Sequence, residues 1–313
     1  MKYVFGIDIG GTTVKCGLFS EQWQIIDKWE LETIRNDENA LLGNIAAAIL
    51  GKLSEHGIDD GDVLGIGVGV PGPVLSDGEV LKCANLGWGR INARIILEEC
   101  FQGRFQVAIG NDANVAALGE YVAGGGRGYD SMMMVTLGTG VGGGLIGGGR
   151  IVCGANGAAA ELGHIIVDPT ETDLCGCGGH GHLEQYASAT GIVRMAKKEL
   201  ASSDAETSLR AFSELTAKDI FDEAKKGDSM ALMLVDRLGE KLAFALTHVA
   251  AVVDPEAFVI GGGVSRAGQI LLDAISRHYN DNILSALRDK EFRLAELGND
   301  AGIYGAAGMI MEG

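Results

Sequence analysis

Two stretches far apart in the chain share one design. Residues 3–20, YVFGIDIGGTTVKCGLFS, and residues 132–152, MMMVTLGTGVGGGLIGGGRIV, each read as an apolar strand, a Gly and Thr turn, and a second strand. Little identity links the letters, yet the order of elements is the same. A chain that builds this hairpin twice implies two similarly built α/β lobes, and 313 residues at 47% hydrophobic content are enough to bury a core in each. Glycine lets the backbone turn tightly and approach a ligand, so the two turns read as cradles of N–H groups that would hold a polyphosphate if they face one cleft.

The segments between these hairpins complete an α/β alternation. The run QIIDKWE at 24–30 extends the first hairpin by a third antiparallel strand, residues 37–56 carry helical spacing, and VLGIGVGV at 63–70 reads as a buried strand. The run GVGVPG at 67–72 resembles a dinucleotide-binding fingerprint only weakly, because Pro73 and the Ser76-Asp77-Gly78 turn put a loop where that motif needs a helix. A P-loop is excluded, the Gly51-Lys52 pair lying inside the helical run. FQVAIGNDANVAALGEYVAGGG at 105–126 is a strand ending at Gly110, with Asn111 and Asp112 at its mouth and a helix over about 113–123. Asp112 has two compatible readings, as the helix N-cap and as a general base at the carboxyl end of a strand. Asp8, at the end of a buried strand, requires a cation or a hydrogen-bond donor. A third glycine turn, VIGGGVSRAG at 259–268, reads either as a nucleoside-binding edge or as an ordinary turn.

Forty-two acidic residues against 25 basic ones give a formal charge of -17. That balance argues against nucleic acid and anionic membrane surfaces as partners. The N-terminus reaches an aspartate at position 8 without the apolar core of a signal peptide, and no run of about 18 uncharged apolar residues follows. A cytoplasmic protein is expected, its six cysteines being core thiols or metal ligands rather than disulfides.

Residues 175–184, CGCGGHGHLE, concentrate the metal-binding chemistry. Cys175 and Cys177 are too close for an unstrained disulfide, but with His164 and His182 they make a Cys2His2 set suited to tetrahedral zinc. His180 is a rival for His182, and unliganded side chains are the alternative. A closed shell of four protein ligands is structural. The helix LEQYASATGIVRMAKKEL is expected to start beside Glu184, so the ion would hold Glu184 and Glu161 in fixed relation.

Taken together, DIGGTTVK (8–15), GVGVPGPV (67–74), NDANVAALGE (111–120), TLGTGVGGG (136–144), ELGH (161–164) and CGCGGHGHLE resemble the ROK family of bacterial sugar kinases over essentially the full length. One departure is His182, where that family usually carries a third cysteine. The resemblance implies an actin-like, hexokinase-like ATPase fold, with two α/β lobes around a central cleft and a duplicated ribonuclease H-like motif. The expected lobes are residues 1–110, with a C-terminal helix at about 300–313 returning to them, and residues 111–299, with the zinc loop 164–182. The implied reaction is ATP-dependent phosphorylation of a hexose at its 6-hydroxyl. Glucose is favoured by the run 183–198, which looks most like the family's glucokinases; kinases for N-acetylglucosamine, N-acetylmannosamine, fructose or allose, or a non-catalytic sugar-sensing regulator, are the alternatives. Asp112 becomes the catalytic base. Asn111, Asp112, Glu161, His164 and Glu184 become the sugar-binding residues, with His164 also on zinc. Asp8, Gly10, Gly11, Thr12, Thr13, Lys15, Gly138, Thr139, Gly140, Gly261, Gly262 and Gly263 are assigned to ATP, with Asp8 helping to place Mg2+. A homodimer is expected.

Overall fold

The computed structural model describes residues 1–311. The chain runs β1 (Tyr3–Ile9), β2 (Thr13–Ser20), β3 (Ile25–Glu32), α1 (Glu38–His56), β4 (Val63–Val70), β5 (Glu79–Val80), β6 (Ile91–Asn92), α2 (Ala93–Cys100), β7 (Val107–Asn111), α3 (Asp112–Ala123) and β8 (Ser131–Leu137). It continues through β9 (Val141–Gly147), β10 (Arg150–Ile151), α4 (Glu184–Ala187), α5 (Ala189–Ser202), α6 (Ala217–Lys225), α7 (Ser229–Val253), β11 (Ala257–Gly261), α8 (Gln269–Asn282), β12 (Glu291–Leu294) and α9 (Ala301–Met311). The last two residues of the C-terminal helix expected over 300–313 lie outside the described residues.

Local chemistry marks the helix ends. Asp37 caps α1 by accepting from the Ala40 N–H, and Gly57, in the left-handed region that glycine adopts freely, closes it. Thr216 and Asp219 form a reciprocal capping box at α6. The single helix expected from 183 to 200 is instead two, α4 and α5. Ser188 between them is extended, and its hydroxyl accepts from the Gly191 N–H to start α5.

Strand order repeats. One sheet runs β3-β2-β1-β4-β7, with β1 and β2 antiparallel and β1, β4 and β7 parallel; the other runs β10-β9-β8-β11-β12, with β8, β11 and β12 parallel. Each sheet therefore puts a hairpin on one side of its first strand and parallel crossovers on the other, the duplication that the paired sequence stretches imply.

The chain divides into two compact units: Met1–Ser131 with Gly144–Ala160 and the chain from Glu296, and Met132–Gly143 with Glu161–Ala295. This differs from the expected boundary at 110/111, because α3 packs on α9, and α9 on β1 and β4, all within the first unit. Glycine makes that packing possible. A Cβ on Gly67 would lie 1.7 Å from the Ala306 carbonyl oxygen, and one on Gly305 would lie 1.6 Å from that of Val115. Gly67 of β4 thus serves backbone-to-backbone contact with a helix, a packing role for the first glycine of the GVG pattern that needs no dinucleotide. Around them Phe5, Ile7, Leu18, Leu42, Ile45 and Val68 are fully buried.

Candidate active site

In the first unit the parallel register aligns Asp8 of β1 with Gly69 of β4, and Gly69 with Gly110 of β7. Asp8 and the Asn111-Asp112 pair therefore emerge at one carboxyl edge of three adjacent strands, where open α/β sheets bind ligands. Burial raises the Asp8 pKa, opposed by the charge of Lys15. Among the described residues no hydrogen-bond donor reaches the Asp8 carboxylate, which fits a cation ligand. Lys15 turns elsewhere, its ammonium donating to the Asn299 carbonyl at 3.1 Å.

The turn after β1 closes through the Gly10 N–H, which donates to the Thr13 carbonyl at 3.0 Å. The segment following β3 braces it: the Thr33 N–H donates to the Thr12 carbonyl at 3.1 Å, the Thr33 hydroxyl to the Gly10 carbonyl at 2.8 Å, and Arg35 Nε to the Gly11 carbonyl at 2.7 Å. Arg35 was not legible as a member of this site, since 24 positions separate it from the carbonyl it meets.

Asp112 is not the N-cap of α3. Asn111 holds that position, its Oδ1 accepting from the Asn114 N–H at 3.1 Å while its Nδ2 donates to the Gly72 carbonyl and to Asp112 Oδ1, both at 3.0 Å. Asp112 is the first helical residue, and its Oδ1 also accepts from the Ala113 N–H at 2.9 Å. Burial is the largest influence on its carboxyl and pushes the pKa up to about 6; the Asp8 charge acts in the same direction, while the hydrogen bonds from Ala113 and Asn111 pull it back. Freed from capping, Asp112 presents a carboxylate more basic than usual, poised for proton transfer near neutral pH.

In the second unit two glycine turns follow adjacent parallel strands, β8 and β11. The turn 138–140 closes with the Gly138 N–H on the Gly140 carbonyl and is held against the start of α5, where the Ala189 N–H meets the Gly138 carbonyl and the Thr190 hydroxyl the Thr139 carbonyl, both at 2.8 Å. Gly261, Gly262 and Gly263 form the second turn; Gly262 has φ 83°, and a Cβ there would lie 2.5 Å from the Leu137 carbonyl oxygen. Beside it lies a cavity of about 390 Å³ lined by Gly263, Val264, Arg266, Ala267, Phe221 and Thr216 among others. A second cavity of about 770 Å³, lined by Thr139, Thr190, Val193 and Lys197 among others, shares Ala189, Thr216 and Ala217 with the first.

Glu184 opens α4, and its Oε2 accepts from the Val141 N–H at 3.0 Å. Its carboxylate packs over the 138–140 turn so closely that a Cβ on Gly140 would lie 2.2 Å from Oε2. Glu161 and His164 are exposed side by side, carboxylate to ring nitrogen at 3.9 Å. His164, Cys175, Cys177 and His182 bring their ligand atoms within 4.8 Å of one another. Cys177 Sγ and His182 Nδ1 are 3.2 Å apart, and the Cys175 N–H donates to the Gly179 carbonyl at 2.7 Å to close the loop. His180 is outside this group; it pairs through its backbone with Leu174. Two thiols and two imidazoles clustered in one loop are a donor set that fits zinc, with His182 supplying the fourth donor. Gln185, one position past the recognisable motif, joins this loop through its carboxamide.

The model of the ROK family matches residues 4–312. The chain belongs to the ROK family. It is 42% identical to a glucokinase of Halalkalibacterium halodurans over 99% of this chain and 96% of that one. It is 33% identical to an N-acetylgalactosamine kinase of a Shewanella species over 97% of this chain and 95% of that one. Among solved structures, a ROK family glucokinase from Streptomyces griseus in complex with glucose and AMPPNP superimposes with a TM-score of 0.75 at 34% identity, covering 99% of this chain and all of that one. The ROK fold, with its repeated α/β sheet, is the fold of this protein.

Proposed function

We propose that this ROK protein is an ATP-dependent hexose kinase that phosphorylates glucose at the 6-hydroxyl. The observation that carries the reading is Asp112, a half-buried carboxylate of raised pKa at the strand edge it shares with Asp8. Asp112 would accept the proton of the attacking hydroxyl, and its elevated basicity suits that task. Asn111, Glu161, His164 and Glu184 would hydrogen-bond the remaining hydroxyls. The turns at 10–13 and 138–140 would hold phosphates through their N–H groups, with the nucleoside against the turn 261–263 and the cavities beside it. Phosphoryl transfer needs alignment and charge stabilisation more than covalent chemistry, which suits a site built from turns and carboxylates. Mg2+ bound with the nucleotide would neutralise phosphate charge, and Asp8 is the residue that would hold it. Zinc would close the 164–182 loop and thereby fix His164 and Glu184. The homologous glucokinases favour glucose, while the related N-acetylgalactosamine kinase makes acetamido sugars the competing substrates. A homodimer and residence in the cytoplasm, where ATP is available, belong to the same proposal. No helix among the described residues is long and apolar enough to cross a membrane.

An ADP-release assay with ATP against glucose, fructose, allose, N-acetylglucosamine, N-acetylmannosamine and N-acetylgalactosamine tests it. The expected result is a kcat/KM for glucose at least about tenfold above each of the others, the scale on which one ring substituent is discriminated. Absence of ADP release with every sugar refutes the kinase; a preferred acetamido sugar refutes glucose alone. Removal of the metal by a chelator is expected to raise the KM for hexose by roughly tenfold or more and to leave that for ATP within about twofold. Equal loss of both affinities would dissociate the metal loop from the sugar side of the site.

A further inference from the structure

Backbone bonds such as Cys175 N–H to the Gly179 carbonyl and bridges from Leu174 to His180 and from Ile166 to His182 shape the 173–182 loop, and a side chain outside the metal-binding motif adds a further tie across it. Gln185 is 8% exposed. Its Nε2 donates to the Asp173 carbonyl at 2.9 Å, two positions before Cys175, and its Oε1 accepts from the His182 N–H at 3.1 Å. One buried carboxamide therefore ties the entering arm of the loop to the backbone of the ligand at its exit. Asp173 is held from a second direction, because Arg194 reaches its carboxylate at 2.9 Å while donating through Nε to the Gln185 carbonyl at 3.2 Å. Buried polar groups with both ends paired rigidify what they join, and loss of one partner strands the other.

We infer that Gln185 is a positioning residue for the four-ligand loop: it holds Cys175 and His182 at binding distance before any ion arrives, and so sets both zinc affinity and the placement of the sugar-binding Glu184. The inference rests on the zinc reading of the loop, and a glutamine is suited to the role where its relatives in shape are not. Glutamate keeps an acceptor for the His182 N–H but turns a carboxylate on the Asp173 carbonyl; methionine fills the space and supplies neither bond.

The test is competition for Zn2+ between a chromogenic chelator and the full-length protein, in wild type, Gln185→Met and Gln185→Glu, with hexose and ATP KM values measured on the zinc-saturated proteins. Zinc affinity is expected to fall about 10–100-fold in Gln185→Met. Hexose KM should rise several-fold with ATP KM within about twofold, and Gln185→Glu should fall between Gln185→Met and wild type. Unchanged zinc affinity in either folded variant overturns the inference and leaves the metal reading standing. A wild-type protein that binds no Zn2+ overturns both. Hydrogen exchange in metal-stripped wild type covers the case in which the variants do not fold: protection of the His182 amide is expected, and exchange at the rate of an open loop overturns the proposal.

Discussion

Asp112→Asn is expected to lower kcat by about 10²–10⁴ while the protein becomes more stable. Asparagine retains an Oδ1 that can accept from the Ala113 N–H and from Asn111, so the local geometry is kept and the proton acceptor is lost. The stability change follows from the sign of the pKa shift. A carboxyl that titrates at about 6 folded and near 3.8 unfolded binds more protons when folded across that interval. Stability therefore falls as pH rises from about 4 to 6, and above pH 6 the full penalty of a buried charge remains. At 1.36 kcal/mol per unit the ceiling is about 3 kcal/mol, and partial exposure reduces it to roughly 1–2 kcal/mol. Thermal denaturation at pH 7 checks the gain, and the pH profile of kcat/KM checks the mechanism. Wild-type activity should decline below a pKa near 6, and the residual activity of Asp112→Asn should lack that limb. Near-normal turnover in the variant removes Asp112 from the role of base.

The second large effect is expected from Gly305→Ala, a substitution that looks harmless in a helix. Alanine favours helix over glycine by about 1 kcal/mol, and at Gly43 of α1, where a Cβ would meet nothing within 4 Å, Gly43→Ala should be neutral or stabilising by that amount. At Gly305 the same methyl would sit 1.6 Å from the Val115 carbonyl oxygen of α3. Retreat is blocked on the other side, where Cβ atoms on Gly6 and Gly67 would already lie within 2 Å of the carbonyl oxygens of Ile303 and Ala306. Backbone must move, and Gly305→Ala is expected to destabilise by about 3 kcal/mol or more, at the upper end of overpacking penalties. Because α3 begins at Asp112, a displacement of 1 Å there should also lower kcat, by up to about 10²-fold. Chemical denaturation of Gly305→Ala beside Gly43→Ala measures the first effect; equal stabilities would contradict the packing argument.

Much of this architecture was legible from residue pattern. The runs at 3–9, 63–70 and 132–137 are apolar, bounded by glycine turns, and became strands. The helical spacing over 37–56 became α1. What pattern could not supply was the partner of each group. Asn111 and Asp112 are both good cap residues, and only the backbone angle at the strand end makes Asn111 the cap and releases Asp112. His180 and His182 are both within reach of Cys177 along the chain. The bend at Gly181, with φ 71°, turns one ring into the cluster and leaves the other outside it. The compact units depart from the boundary expected at 110/111 because spacing cannot reveal that α9, from the far end of the chain, seats against α3.

Sequence by itself determined the repeated strand, turn and strand design, the two families of glycine turns and a donor set of thiols and imidazoles, since these follow from local conformational preference and side-chain chemistry. Tertiary structure alone decided which glycines serve a turn and which admit a helix, which histidine joins the cysteines, and that Arg35 and Gln185 brace the site. Those outcomes depend on contacts between groups distant in the chain, and such contacts are set by how whole elements pack, at distances where one methyl group or one hydrogen bond changes the answer.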